Sequence, residues 1–200
     1  DWSSDVCSSD LFHGRCSLPL AAALADHFHC TAFDYRGHGD TPQPDAPVDW
    51  ERYADDAQAV ATELVERHGA PIDAFGHSMG GACLLMVARR EPALFRRLVV
   101  FEPIVFPPGG LRPDAHGHDD PDSNPMVLAA RRRRAVFPSY QAAIDNYSAK
   151  PPLNGFTPEA MRAYVEHGFR QADDGVHLKC TPDVEAATFA TGSQHRTWDV

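Results

Sequence analysis

The sequence has no long apolar run. Nothing in it approaches the roughly 20 consecutive apolar residues that a membrane-spanning helix requires. The apolar-rich segment nearest the start, Leu18 to Ala25, is short and follows no basic cluster of the kind that opens a secretory signal. Paired cysteine spacing is also missing. Five scattered cysteines do not make a disulfide framework and fit free thiols in the reducing cytoplasm. Basic charge is in short supply, with 18 Lys and Arg against 28 Asp and Glu for a net charge of −10, which speaks against nucleic acid as a partner. There is no internal repeat, no heptad, no P-loop lysine and no dinucleotide fingerprint. His116 and His118 form a His-x-His pair with no evident third ligand, so no metal and no cofactor is expected. What remains is 200 residues at 43% apolar and 23% charged, the composition of one globular domain large enough for a real core.

The first eleven residues stand apart. Asp1 to Leu11 reads as the translation of a common sequencing adapter, and such a scar is set aside before fold reasoning. Without Asp1, Asp5 and Asp10 the acidic count falls from 28 to 25 against 18 basic residues, a net charge of −7. The natural sequence is then expected to begin abruptly near Phe12.

From there the chain alternates. Leu18 to His27 reads as a helix and Cys30 to Phe33 as a short buried strand. A turn, Arg36-Gly37-His38-Gly39-Asp40, leads into a Pro-rich loop. Asp49 is placed to cap a helix running to His68, with Tyr53, Ala57, Val60, Ala61, Leu64 and Val65 along one face and Gly69 at its end. Ile72 to Phe75 reads as a strand, Met79 to Arg90 as a small-residue helix, and Leu98 to Phe101 as a third strand. This order predicts a parallel sheet with helices on its faces. After Glu102 the texture changes. A Pro/Gly/Asp/His-rich loop from Pro103 to Pro125 precedes helical stretches at Pro125–Phe137, Ser139–Ala149, Pro158–Arg170 and Pro182–Ala190, with one faint strand at Val176 to Lys179. Arg131 to Arg134 falls within the first of these helices and reads as a solvated face with one arginine turned inward, or else as an anion site for an acidic substrate.

Gly76-His77-Ser78-Met79-Gly80 has the spacing of a nucleophile elbow, in which a serine sits on a strained strand-to-helix turn and glycines two before and two after it let the backbone pass. The apolar strand before it and the small-residue helix after it supply the required context, and Gly81 adds room for close packing. With FDYRGHGDT at Phe33 to Thr41 ahead of it, the chain resembles the α/β-hydrolase superfamily from Phe12 to Val200. The resemblance implies a partial parallel sheet with flanking helices over residues 12–106, a helical cap insert over residues 107–200, and a chain that ends before the last core strands. It implies that Asp34 and Arg36 brace their turn and that His77 is structural. It also implies Ser78 as nucleophile, a histidine base, a carboxylate that orients it, and the Met79 N–H as half of an oxyanion hole. His13-Gly14 is a candidate for the second oxyanion donor, although its short distance from Asp34 favours a segment further upstream. Glu102, just after the third strand, is an internal candidate for the acid. The expected alternative is an aspartate beyond Val200, followed there by the catalytic histidine.

The expected function is hydrolysis of a small ester or related acyl substrate through an acyl-enzyme on Ser78. Phe106, Phe137, Tyr140, Tyr147, Phe156 and Tyr164 are candidates for the acyl pocket, and most are expected to be cap core. The alternatives are a non-catalytic binding protein of the same fold, or a C–C hydrolase or haloperoxidase. The expected partner is a small molecule, and the oligomeric state is left open. Without base and acid, the chain by itself is expected to be nearly inactive and prone to aggregate.

Overall fold

A computed structural model describes residues 4–8, 12–42, 45–106, 124–192, 194–195 and 197–199. Its first half is a four-stranded parallel sheet in the order β2-β1-β3-β4, formed by β1 (Ser4–Ser8), β2 (His29–Ala32), β3 (Ile72–His77) and β4 (Phe95–Phe101). The three strands expected from Phe12 onward are present. The fourth, β1, comes from the segment set aside as an adapter and fills the slot between β2 and β3, with Val6 in register with Thr31 on one side and Ala74 on the other.

Helices α1 (Leu18–Leu24), α2 (Trp50–His68) and α3 (Met79–Arg90) connect and flank the strands. The ends of α2 follow from its sequence. The Asp49 carboxylate accepts the Glu51 N–H at 3.0 Å, and Gly69 stops the helix in the left-handed region at φ 69°. Its periodic face, Tyr53, Ala57, Ala61 and Leu64, is buried with Ile72, Met79, Leu84 and Val87 in the main core. Burial of that face against the sheet stabilises α2 more than its helix propensity does.

Beyond residue 124 the chain forms α4 (Pro125–Arg131), α5 (Tyr140–Ser148), α6 (Pro158–Gly168) and α7 (Pro182–Thr191). It also forms a small antiparallel sheet that the sequence barely announced: β5 (Val136–Phe137), β7 (Gly175–Leu178) and β6 (Phe169–Ala172), in that order. Two expected helices are therefore shorter. The first ends at Arg131, leaving Arg133 and Arg134 outside it, and the third gives way at Phe169 to a β6–β7 hairpin. A second core forms here. Phe137, Tyr147, Tyr164 and Phe169 are buried in it, and Tyr140 and Phe156 pack against it, so these aromatics serve as core. Phe12 joins this core edge-on to Tyr164 at 5.0 Å. Residues 107–123, with His116 and His118, lie outside the described residues.

Candidate active site

Ser78 occupies the single residue between β3 and α3, at φ 53°, ψ −118°, a backbone region unfavourable for any residue with a side chain. Three hydrogen bonds hold it there. Its N–H donates to the Phe101 carbonyl at 3.0 Å, while its carbonyl accepts from Ala82 N–H at 3.1 Å and Ile104 N–H at 3.2 Å. The end of β4 and the first turn of α3 thus clamp the elbow. The glycines are there for space. A Cβ on Gly76 would lie 2.8 Å from the backbone of Gly80 and Gly81, and one on Gly81 would lie 3.1 Å from both the Gly76 carbonyl oxygen and the Pro103 ring. Met79 is buried and opens α3, where backbone N–H groups have no partner within the helix and carry the positive end of its dipole.

His77 ends β3 with its ring 5.4 Å from that of Phe101, a packing role. Glu102 follows Phe101 at φ 45° and is exposed. It stands at the end of β4, the strand beside β3, about one strand spacing of 4.8 Å from the elbow. Several other histidines are engaged elsewhere: His38 with the Arg36 carbonyl at 3.0 Å, His177 with Asp174 at 2.6 Å, and His195 with Thr197 at 2.7 Å while stacked on Trp50. Burial pushes the Cys83 and Cys180 thiols up to about 12, so both stay protonated at neutral pH.

The turn after β2 is braced by charge. Asp34 accepts Gly14 N–H at 2.7 Å and Asp40 N–H at 2.8 Å. A side chain on Gly39, at φ 50°, would overlap the Asp34 carboxylate. Arg36 forks onto Asp56 of α2 at 2.9 and 2.5 Å. These contacts give Asp34 and Arg36 the bracing role that the motif implied. They also commit the Gly14 amide to Asp34, which takes it out of contention as an oxyanion donor. His13, 4% exposed, donates from Nε2 to the Tyr164 carbonyl at 3.0 Å. Lys179 reaches Asp40 at 2.5 Å. Core turn and second-half helices therefore meet, around a cavity of about 10 Å³ lined in part by Phe12, His13, Gly39, Arg133 and Tyr164. The roomier groove of about 390 Å³ along the outer face of α2 is lined by Asp55, Glu63, Glu66 and small or polar neighbours, the ordinary solvated face of an acidic helix. Among the described residues no cluster of three His, Cys, Asp or Glu side chains could hold a metal ion, and no helix is long and apolar enough to cross a membrane.

A parallel sheet with flanking helices and a serine pinned on a left-handed turn at a strand's C-terminal end define the α/β-hydrolase class of architecture. The sequence profile of the alpha/beta hydrolase family matches residues 8–198, and the chain belongs to that family. It is 32% identical over 96 residues to the 2-(acetamidomethylene)succinate hydrolase of Mesorhizobium japonicum, covering 46% of this chain and 34% of that protein. It is 30% identical over 165 residues to a non-heme chloroperoxidase of Streptomyces lividans, covering 78% and 56% of the two. A solved structure of E-2-(acetamidomethylene)succinate hydrolase shares the fold at a TM-score of 0.75 with 21% identity, over 98% of this chain and 68% of that one. The chain thus spans between a third and three fifths of the length of these two curated relatives.

Proposed function

We propose that the full-length protein is a serine hydrolase that cleaves a small ester or related acyl substrate through an acyl-enzyme on Ser78. The observation that carries this reading is the strained, three-way-clamped backbone of Ser78 at the junction of β3, β4 and α3. Such strain persists where the surrounding structure over-determines it, and at an elbow it holds the hydroxyl out for attack. In this reading Ser78 Oγ attacks the substrate carbonyl carbon as a histidine takes its proton. The oxygen that gains negative charge lies against the Met79 N–H, a donor of a kind whose loss costs about 3–4 kcal/mol of transition-state stabilisation. The carbonyl re-forms as the leaving group departs with the proton, and water releases the acid by the same steps. Glu102 is the carboxylate candidate this chain offers for orienting the histidine. The chloroperoxidase relative supports a second reading, haloperoxidase chemistry at the same elbow.

The test is a fluorophosphonate probe on the full-length protein, read by mass spectrometry of the peptide bearing Ser78. A covalent adduct on Ser78, lost in Ser78→Ala together with at least about 10⁴-fold of the esterase rate, is the expected result. Unlabelled Ser78 in a folded, full-length protein overturns the reading.

A further inference from the structure

The second core contains an arginine that the family motifs do not use. Arg133 lies just past the end of α4, and 15% of its side chain is exposed. Its Nη1 grips both oxygens of Glu185 at 2.8 Å, and its guanidinium carbon sits 5.4 Å from the Tyr147 ring and 5.7 Å from the Tyr164 ring. A guanidinium fixed on three sides is pre-organised, yet its Nη2 is buried with no hydrogen-bond partner among the described residues. The same holds for the hydroxyl of Tyr164, a residue only 3% exposed. Unsatisfied buried donors cost about 1–3 kcal/mol each, so two on residues that line one cavity point to an acceptor that completes them.

Both residues line the cavity between the second core and the turns after β1 and β2. At about 10 Å³ it admits one oxygen-sized group. The strand order β2-β1-β3 sets the turn after β2 two strand spacings, about 10 Å, from Ser78 at the same C-terminal edge of the sheet. Ligands of open α/β sheets bind along that edge.

We propose that Arg133 and Tyr164 form a specificity subsite that receives an acceptor oxygen, a carboxylate or an amide carbonyl, on the part of the acyl substrate remote from the scissile bond. The proposal rests on the hydrolase reading for the identity of the substrate and not for the site itself. Glu185 already balances the charge of Arg133, and Lys179 balances Asp40. The subsite therefore works through directed donors more than through net charge, which leaves both oxygen types open.

The test is calorimetric titration of the protein with succinate and, separately, with succinamide, in wild type, Tyr164→Phe and Arg133→Lys. At least one ligand binds the wild type, and each substitution weakens it roughly 10-fold or more. The Tm of Tyr164→Phe stays within a degree or two of wild type, because the lost hydroxyl has no partner to forfeit. Succinate alone identifies a carboxylate subsite, and succinamide alone an amide one. Failure of both ligands, or binding that Tyr164→Phe leaves unchanged, overturns the subsite. Fluorophosphonate labelling of Ser78 in the same samples keeps the two readings apart: labelling without ligand binding removes the subsite alone, and binding without labelling leaves it standing.

Discussion

His13 shows how one side chain can set a pH limit on the whole fold. Its ring is buried against Tyr164 with Nε2 donating to a backbone carbonyl, and burial pulls its pKa from the usual 6.5 to about 4, against the opposing pull of Asp34. The unfolded chain therefore binds a proton between pH 6.5 and pH 4 that the folded one refuses, and stability falls as pH drops through that window. The loss approaches on the order of 3 kcal/mol by pH 4. Urea denaturation at pH 7.0 and pH 4.5 should show His13→Gln losing much less than wild type between the two. Equal losses would mean that His13 is not buried neutral. The sequence presented this residue only as a candidate beside an oxyanion glycine. Its real position depends on Tyr164, 151 residues away, and no local pattern encodes such a contact. Ser78 was legible because its spacing and context are local, and Asp34 and Arg36 were legible because their motif is.

At the scale of elements, the elbow is a packing problem before it is a chemical one. β3 and α3 approach so closely at Gly76 and Gly80 that a methyl group has nowhere to go, since the atoms it would strike are backbone. Gly76→Ala should cost about 3 kcal/mol or more, at the upper end of ordinary overpacking, read as a lower urea midpoint with an unchanged slope. A fully stable variant would show that the two elements can separate at the elbow. The same scale explains which elements the sequence revealed. α2 carries a cap, a stripe and a stop, all within its own residues. The β6–β7 hairpin carries none of these: its four-residue strands include the exposed Arg170 and Gln171, and Gly175, at φ 137°, turns the chain where the Phe137 carbonyl oxygen leaves no room for a Cβ. Such strands exist because they pair with each other, and pairing is not visible in composition.

For the molecule as a whole, the weak point is the slot between β2 and β3. A parallel strand flanked on both sides is normally a near-continuous apolar run. Here the slot is filled by Ser4-Asp5-Val6-Cys7-Ser8, of which only Val6 has high strand propensity. The register sets Asp5 level with Asp73 of β3, and aspartate is among the residues depleted in strands. Asp73 is held well below the usual carboxylate range, first by Arg96 and then by Arg97, so it stays ionised across the working pH range. These residues suit the slot poorly, and we propose that residues 1–11 are adapter-derived. Two outcomes follow. Resequencing the source locus should replace these codons with ones that place apolar residues in the slot. In the chain as it stands, Asp5→Val should stabilise the fold by about 1 kcal/mol through strand propensity alone and raise Tm by about 3 °C. An unchanged or lower Tm would mean that residues 4–8 do not hold the sheet together, and the order β2-β1-β3-β4 would then need another strand at its centre.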